Sequence, residues 1–374
     1  MADNSPGGNA GRPRPGGIRA SGRRRRRPDP RRRALKIVLC ALVSCVVLAG
    51  AGLGYLYFHL NGNLKGVDIN AALGGDRPKN PDDGSMDILV LGSDSRAGSN
   101  AKYGSGDTGA RSDTAMVVHV YPGHKKASVV SIPRDTLVDR PDCVEHGKTV
   151  PGEQDAMFNT AYASGGPACA VKTVESMSGI RMDHFVEVDF TGFKKIIDAL
   201  GGVKITTTKP IDDDDSHLHL RPGTHTLGGE QALGLVRTRH GVPGGDGSDL
   251  GRIQLQQTFI KALMQQVKSG GLLSDPTRLY RVADTATQAV TTDTGLDSVS
   301  KLTGLAKDLG GIDSGAIKMV TLPVTYDPND AARVLPMATA DHQVWNALRH
   351  DRPIPAKATR GSVGDKGGTS DYVK

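Results

Sequence analysis

The sequence predicts an α/β fold: a layered α-β-α domain on a mixed central sheet, preceded by one N-terminal transmembrane helix. Three observations predict it. Short β-branched runs alternate with segments of helical periodicity, the pattern of helices covering a sheet. Residues 89–91 and 117–118 are wholly apolar, as in strands buried on both faces. Residues 37–58 form a run of 22 without a charge.

The N-terminal elements come first in chain order. Residues 1–36 hold 12 of the 47 Lys and Arg and 2 of the 40 Asp and Glu. The formal net charge of +7 therefore belongs to this tail, and the remainder is slightly acidic. The tail is rich in Gly, Pro and Arg and too poor in apolar residues to fold, so it reads as disordered. Residues 37–59 read as a retained signal-anchor helix. At about 1.5 Å per residue the apolar run spans a hydrocarbon core of about 30 Å. It is longer than a signal-peptide core, and no Ala-x-Ala cleavage site follows it. Tyr55, Tyr57 and Phe58 sit where an interfacial aromatic belt belongs, and the arginines keep the N-terminus cytoplasmic. Everything after residue 60 is then extracellular. A nucleic-acid-binding arm would rest on charge alone and is not expected.

Residues 60–85, rich in Gly, Asn, Pro and Asp, read as a stalk, residues 86–350 as the globular domain, and residues 351–374 as a loose tail. Strands are predicted at 87–92, 114–121, 127–132, 184–189, 202–207 and 317–322. Helices are predicted at 154–164, 168–178, 191–200, 229–236, 250–268, 276–290, 296–309 and 341–349. Cys40 and Cys45 lie in the span and read as small apolar residues. Cys143 and Cys169 flank a Gly/Pro-rich stretch of the exported part, where an oxidising compartment favours a disulfide.

Charged residues gather at the ends of the predicted strands. Asp94 and Arg96 follow the first strand, where open α/β sheets bind ligands. Arg111 and Asp113 precede the second. An antiparallel pairing would bring the two aspartates together, and facing carboxylates repel unless a cation lies between them. Mg²⁺ (or Mn²⁺) takes one or two carboxylates plus phosphate oxygens. Pro133 ends the third strand and leaves Arg134 and Asp135 projecting. Arg237 and Arg239 would share a face of an extended step. Asp249 reads as a helix N-cap, and Arg252 stands in the first turn, where it opposes the helix dipole unless an anion is present. The planar fork of arginine suits a diphosphate. Asp135 and Asp249 are both candidates to accept a proton, and the sequence does not choose between them.

At these residues the chain resembles the LytR-CpsA-Psr family of cell-envelope phosphotransferases, in its actinobacterial type. The matching segments are DILVLGSDSR (87–96), RSDTAMVVHV (111–120), SIPRDTLV (131–138), FNTAYASGG (158–166), HFVEVDFTGFKKIIDALGGVKI (184–205), GEQALGLVRTRH (229–240) and DLGRIQLQQ (249–257). They occur in the family's order. The resemblance implies transfer of a glycopolymer from a polyprenyl-diphosphate carrier to peptidoglycan, as a phosphodiester, usually on a muramic acid 6-hydroxyl. It implies Asp94 and Asp113 as Mg²⁺ ligands and Arg96, Arg134 and Arg237 on the diphosphate. Arg111, Arg239 and Arg252 match motif positions of less defined role. Gly247 and Ser248 stand where many relatives carry a further arginine. The polymer, whether teichoic, capsular or arabinan-like, is not specified. Phe259, Ile260, Leu263 and Val267 could line a lipid groove or simply pack the core.

Two other functions remain open at this point: a polyprenyl-diphosphate hydrolase using water as acceptor, and a non-enzymatic wall-binding or regulatory protein. The acids at 212–215 read as a solvated loop, and His217 and His219 as an exposed edge. Gly-x-Ser-x-Gly, Walker and Rossmann fingerprints are absent.

Overall fold

A computed structural model of the chain describes residues 30–75, 77–80, 83–93, 112–145, 147–240, 249–269, 271–365 and 373. The chain divides into two compact units, Met1–Tyr55 and Leu56–Lys374. Helix α1 (Pro30–Asn63) begins in the first, and its stretch Val38–Asn63 is long and apolar enough to cross a membrane.

The second unit is built on a seven-stranded sheet. Its strands, in chain order, are β1 (Lys65–Val67), β2 (Met86–Ser93), β3 (Ser112–Val120), β4 (Ala127–Ile132), β5 (His184–Asp189), β6 (Val290–Asp293) and β7 (Ile317–Thr321). The spatial order is β1-β6-β5-β2-β3-β4-β7. β2–β3, β3–β4 and β5–β6 are antiparallel, whereas β1–β6, β2–β5 and β4–β7 are parallel. The expected mixed sheet is therefore present, with β2 and β3 at its centre. Leu89, Leu91, Val117 and Val130 are fully buried there. They pack with Val171 and Val174 of α3 (Phe158–Ser178) and with Val344, Trp345 and Leu348 of the helix Ala338–Leu348. A second core joins Ile197 of α4 (Phe190–Ala199), Leu235 of α5 (Gly229–Arg237) and Phe259 of α6 (Asp249–Ser269) to the hairpin of Val203–Thr207 and Gly223–Leu227.

Three segments differ from the sequence reading. The predicted helix 154–164 begins as a strand, Glu153–Met157, paired with Leu137–Arg140, and turns helical at Phe158. The predicted helices 154–164 and 168–178 meet at a kink. Gly165 and Gly166 leave helical geometry there, and Pro167 re-enters it. The stalk is not loose: β1 adds to the sheet edge, and Ile69 and Leu73 of α2 (Ile69–Leu73) are buried in the main core. Arg77 ties the same segment down through Glu175 and the carbonyl of Met182. At the other end, Ile354 and Ala358 also belong to the main core, and Val373 is buried beside Thr207.

The predicted disulfide Cys143–Cys169 is present, with Cα atoms 5.4 Å apart. It joins the short strand Cys143–Glu145 to α3 just past the Gly165–Gly166 kink.

Candidate active site

The site grows from the turn that ends β4. Pro133 cannot continue the ladder because it has no N–H to donate. Thr136 closes the turn: its N–H and its hydroxyl both donate to the Pro133 carbonyl, at 3.1 and 2.7 Å. The first residues of α3 then clamp it from outside. Phe158 N–H donates to the Thr136 carbonyl at 2.9 Å and Asn159 N–H to the Arg134 carbonyl at 3.0 Å. Arg134 and Asp135 thus project from a doubly braced turn.

Antiparallel pairing of β3 with β4 sets Asp113, near the start of β3, beside that turn. Arg134 Nη1 lies 2.5 Å from Asp113 Oδ1. The N-terminus of α6 supplies the other partners. Asp249 Oδ1 is 2.6 Å from Arg252 Nη2, 3.2 Å from Arg239 Nη2 and 3.5 Å from Arg134 Nε. Asp135 Oδ2 lies 3.5 Å from Arg134 Nε. Arg252, nearly buried, also donates to the Asp113 carbonyl at 2.9 Å. The anion that the first-turn arginine called for is therefore Asp249 itself. Gln256, one turn further along α6, donates to Thr114 Oγ1 and the Val236 carbonyl, locking α6 against β3 and α5.

Six predicted residues are thus brought together: Asp113, Arg134, Asp135, Arg239, Asp249 and Arg252. Three arginines face three carboxylates. Burial works against charge on Asp113, but Arg252 and Arg134 outweigh it and hold its carboxyl below the usual range. Burial pushes Asp249 the other way, up, against the pull of Arg252, Arg134 and Arg239. Asp249 Oδ2 is buried and has no hydrogen-bond partner among the described residues.

Arg237 stacks on an aromatic ring. Its guanidinium lies over the Phe190 ring, 5.0 Å from the centroid, a cation–π stack on α4. The extended step that was to put it on one face with Arg239 holds only from Thr238 onward, since Arg237 is the last residue of α5. Asp94, Arg96 and Arg111 lie outside the described residues.

One functional residue was missed. Asp213, read as part of a solvated acidic loop, is buried, with 2% of its surface exposed. It accepts backbone N–H bonds from Arg239 at 3.0 Å, His240 at 3.2 Å, Asp215 at 3.0 Å and Ser216 at 3.3 Å. It therefore pins the step that presents Arg239. A signal was available: residues two apart on a strand share a face, and Asp213 stands two after the buried Ile211 in the strand Ile211–Asp213. His217 and His219 are exposed, as expected of an edge.

Among the described residues no group of three or more His, Cys, Asp or Glu could hold a metal. Mg²⁺ needs only one or two carboxylates. Asp113, kept ionised and 21% exposed at its side chain, is a fitting hard oxygen ligand. Of the candidate lipid-groove residues, Phe259 is core, packed 5.6 Å from Phe193 between ring centroids. Val267 is exposed.

The LytR_cpsA_psr family model matches residues 56–350. The chain belongs to this family. It is 34% identical over 319 residues to the cell wall biosynthesis protein LcpA of Corynebacterium glutamicum, an alignment covering 76% of this chain and 59% of LcpA. It is 34% identical over 257 residues to the polyisoprenyl-teichoic acid–peptidoglycan teichoic acid transferase TagT of Bacillus subtilis, covering 66% of this chain and 74% of TagT. The solved structure of TagT bound to LI-WTA superposes with a TM-score of 0.54 at 27% identity, covering 75% of this chain and 95% of that one. The chain thus spans under two thirds of LcpA but most of TagT. Family membership agrees with the observed segments: five of the seven motifs, those at 111–120, 131–138, 158–166, 229–240 and 249–257, contribute a residue or a brace to the cluster.

Proposed function

We propose that this chain is a membrane-anchored extracellular phosphotransferase. It would move a glycopolymer from a polyprenyl-diphosphate carrier to peptidoglycan as a phosphodiester, on a muramic acid 6-hydroxyl. The observation that carries the reading is the cluster of Arg134, Arg239 and Arg252 with Asp113, Asp135 and Asp249 at one end of the sheet, in a chain that also holds a span-length apolar helix. The transferase named among its relatives supports it.

Phosphoryl transfer is catalysed mainly by positioning and by charge neutralisation. Arg134 and Arg239 offer guanidinium groups for the diphosphate oxygens, and Arg252 holds Asp249 and the β3 backbone in place. Arg96, Arg111 and Arg237 are assigned to the same diphosphate from their motif positions. Mg²⁺ (or Mn²⁺), held by Asp113 and Asp94, would supply further neutralisation of phosphate charge. The acceptor hydroxyl loses its proton to Asp249, whose Oδ2 has no partner among the described residues. Its oxygen bonds to the glycopolymer-bearing phosphorus. The bond from that phosphorus to the lipid phosphate breaks, and the polyprenyl phosphate leaves with the electron pair.

The test uses the purified chain with a polyprenyl-diphosphate-linked saccharide, with and without peptidoglycan acceptor. Phosphodiester product that requires the acceptor is expected. Release of free saccharide phosphate at an equal rate without acceptor would make the protein a hydrolase instead. Arg134→Ala should lower kcat roughly 10²-fold or more, the loss typical of a transition-state charge contact.

A further inference from the structure

Beside the cluster a small cavity of about 210 Å³ opens between Asp135, Arg239 and Asp249 on one side and Tyr326, Ala331 and Ala332 on the other. The second wall is a hairpin, Val324–Tyr326 paired with Val334–Pro336. None of its residues lies in the motifs described above. It is nevertheless fastened to the catalytic turn. Val334 N–H donates to the Asp135 carbonyl at 3.2 Å, and Val334 bridges Thr136. A rim fixed to the residues that face the phosphate is placed to hold whatever approaches it.

The lining has the chemistry of a carbohydrate site. Asp135 and Asp249 accept hydroxyl hydrogen bonds, Arg239 donates them, and the electron-rich face of Tyr326 suits the C–H edge of a pyranose. The volume falls below the roughly 300–1,000 Å³ of pockets for drug-sized ligands, which suits one sugar ring and excludes a polyprenyl chain. Asp249 contributes a buried carboxylate oxygen that no group among the described residues satisfies. We propose that this cavity is the acceptor subsite, seating one pyranose of the glycan so that its free hydroxyl donates to Asp249. The assignment rests on the phosphotransferase reading above and names the side from which the acceptor enters.

Ala332→Trp and Ala331→Trp, both at exposed hairpin positions, would fill the cavity while leaving every charged residue of its lining in place. Three quantities decide the matter in the full chain: KM for a soluble peptidoglycan glycan fragment, Kd for the polyprenyl-diphosphate saccharide without acceptor, and Kd for the glycan fragment without donor. Each tryptophan should raise the acceptor KM and Kd roughly tenfold or more, because the clash is built against that ligand alone. Donor Kd and the melting temperature should stay near wild type. An unchanged acceptor Kd, or an equal loss of donor affinity, would overturn the assignment. Should the wild-type chain bind the fragment, lose it on Ala332→Trp, and yet transfer nothing, the phosphotransferase reading fails while the glycan subsite stands.

Discussion

Asp213 shows how one buried carboxylate can organise a site it never enters. Burial resists its charge, yet the N–H groups of Arg239, Ser216, His240 and Asp215 outweigh that and hold it below the usual carboxylate range. A carboxylate with a depressed folded value contributes stability above its unfolded value, about 4, and loses it as pH falls through the folded one. Asp213→Asn should therefore lower stability at neutral pH by about 1–3 kcal/mol. Urea titrations should show that deficit shrinking below pH ~4, where the wild-type carboxyl also protonates. The same variant should reduce transfer, since Arg239 is no longer held. At this scale the sequence was readable where charge sat at strand ends and helix starts, which is why Asp113, Arg134 and Asp249 stood out. It was unreadable at Asp213, because four successive acids look solvated unless the alternation with Ile211 is noticed. Arg237 was placed from its spacing to Arg239, and the helix end between them removed the shared face.

Among elements, α3 carries the most constraint. Its N-terminus braces the Pro133–Thr136 turn, its middle breaks, and its second half is stapled by the disulfide. Gly166 sits at φ 63°, ψ −154°, a region that side chains avoid. A Cβ at Gly165 would come within 2.9 Å of Cys169 Cβ. Gly166→Ala should cost about 1–3 kcal/mol, readable as a lowered midpoint in urea. Replacing Cys143 and Cys169 together with serine should cost about 2–4 kcal/mol, visible as a lower Tm that reductant no longer changes. The break between two helices was legible from the Gly-Gly-Pro run. The strand Glu153–Met157 was not. Its pairing with Leu137–Arg140 is set by a partner 13 or more residues away, and the local pattern also fits a helix.

The whole molecule gathers its cluster from segments far apart in the chain, near residues 113, 134, 213, 239 and 249, so the site exists only once the domain has folded. The sheet that brings them together was legible because its strands are strongly apolar. Its outer parts were not, because Ile69 with Leu73 and Ile354 with Ala358 are each a single i,i+4 pair, too short a stretch for the helical period to stand out from its Gly/Pro-rich surroundings. Removal of residues 1–55 should leave a folded domain. Removal through residue 74 should destabilise it, since Ile69 and Leu73 alone contribute about 1.5–3 kcal/mol each. Thermal unfolding of the two truncations separates these outcomes. Charge is divided just as unevenly: the basic excess lies in residues 1–36, the remainder is slightly acidic, and the described cluster balances three guanidinium groups with three carboxylates. Within that described cluster each guanidinium already has a carboxylate partner, so its three arginines cast little attraction of their own over passing anions. Free phosphate should compete poorly for Arg134, Arg239 and Arg252, seen as an inhibition constant far above the donor KM, because each already faces a carboxylate. Selectivity in such a protein comes from contact: only a ligand that can trade places with those carboxylates, group for group, gains a hold.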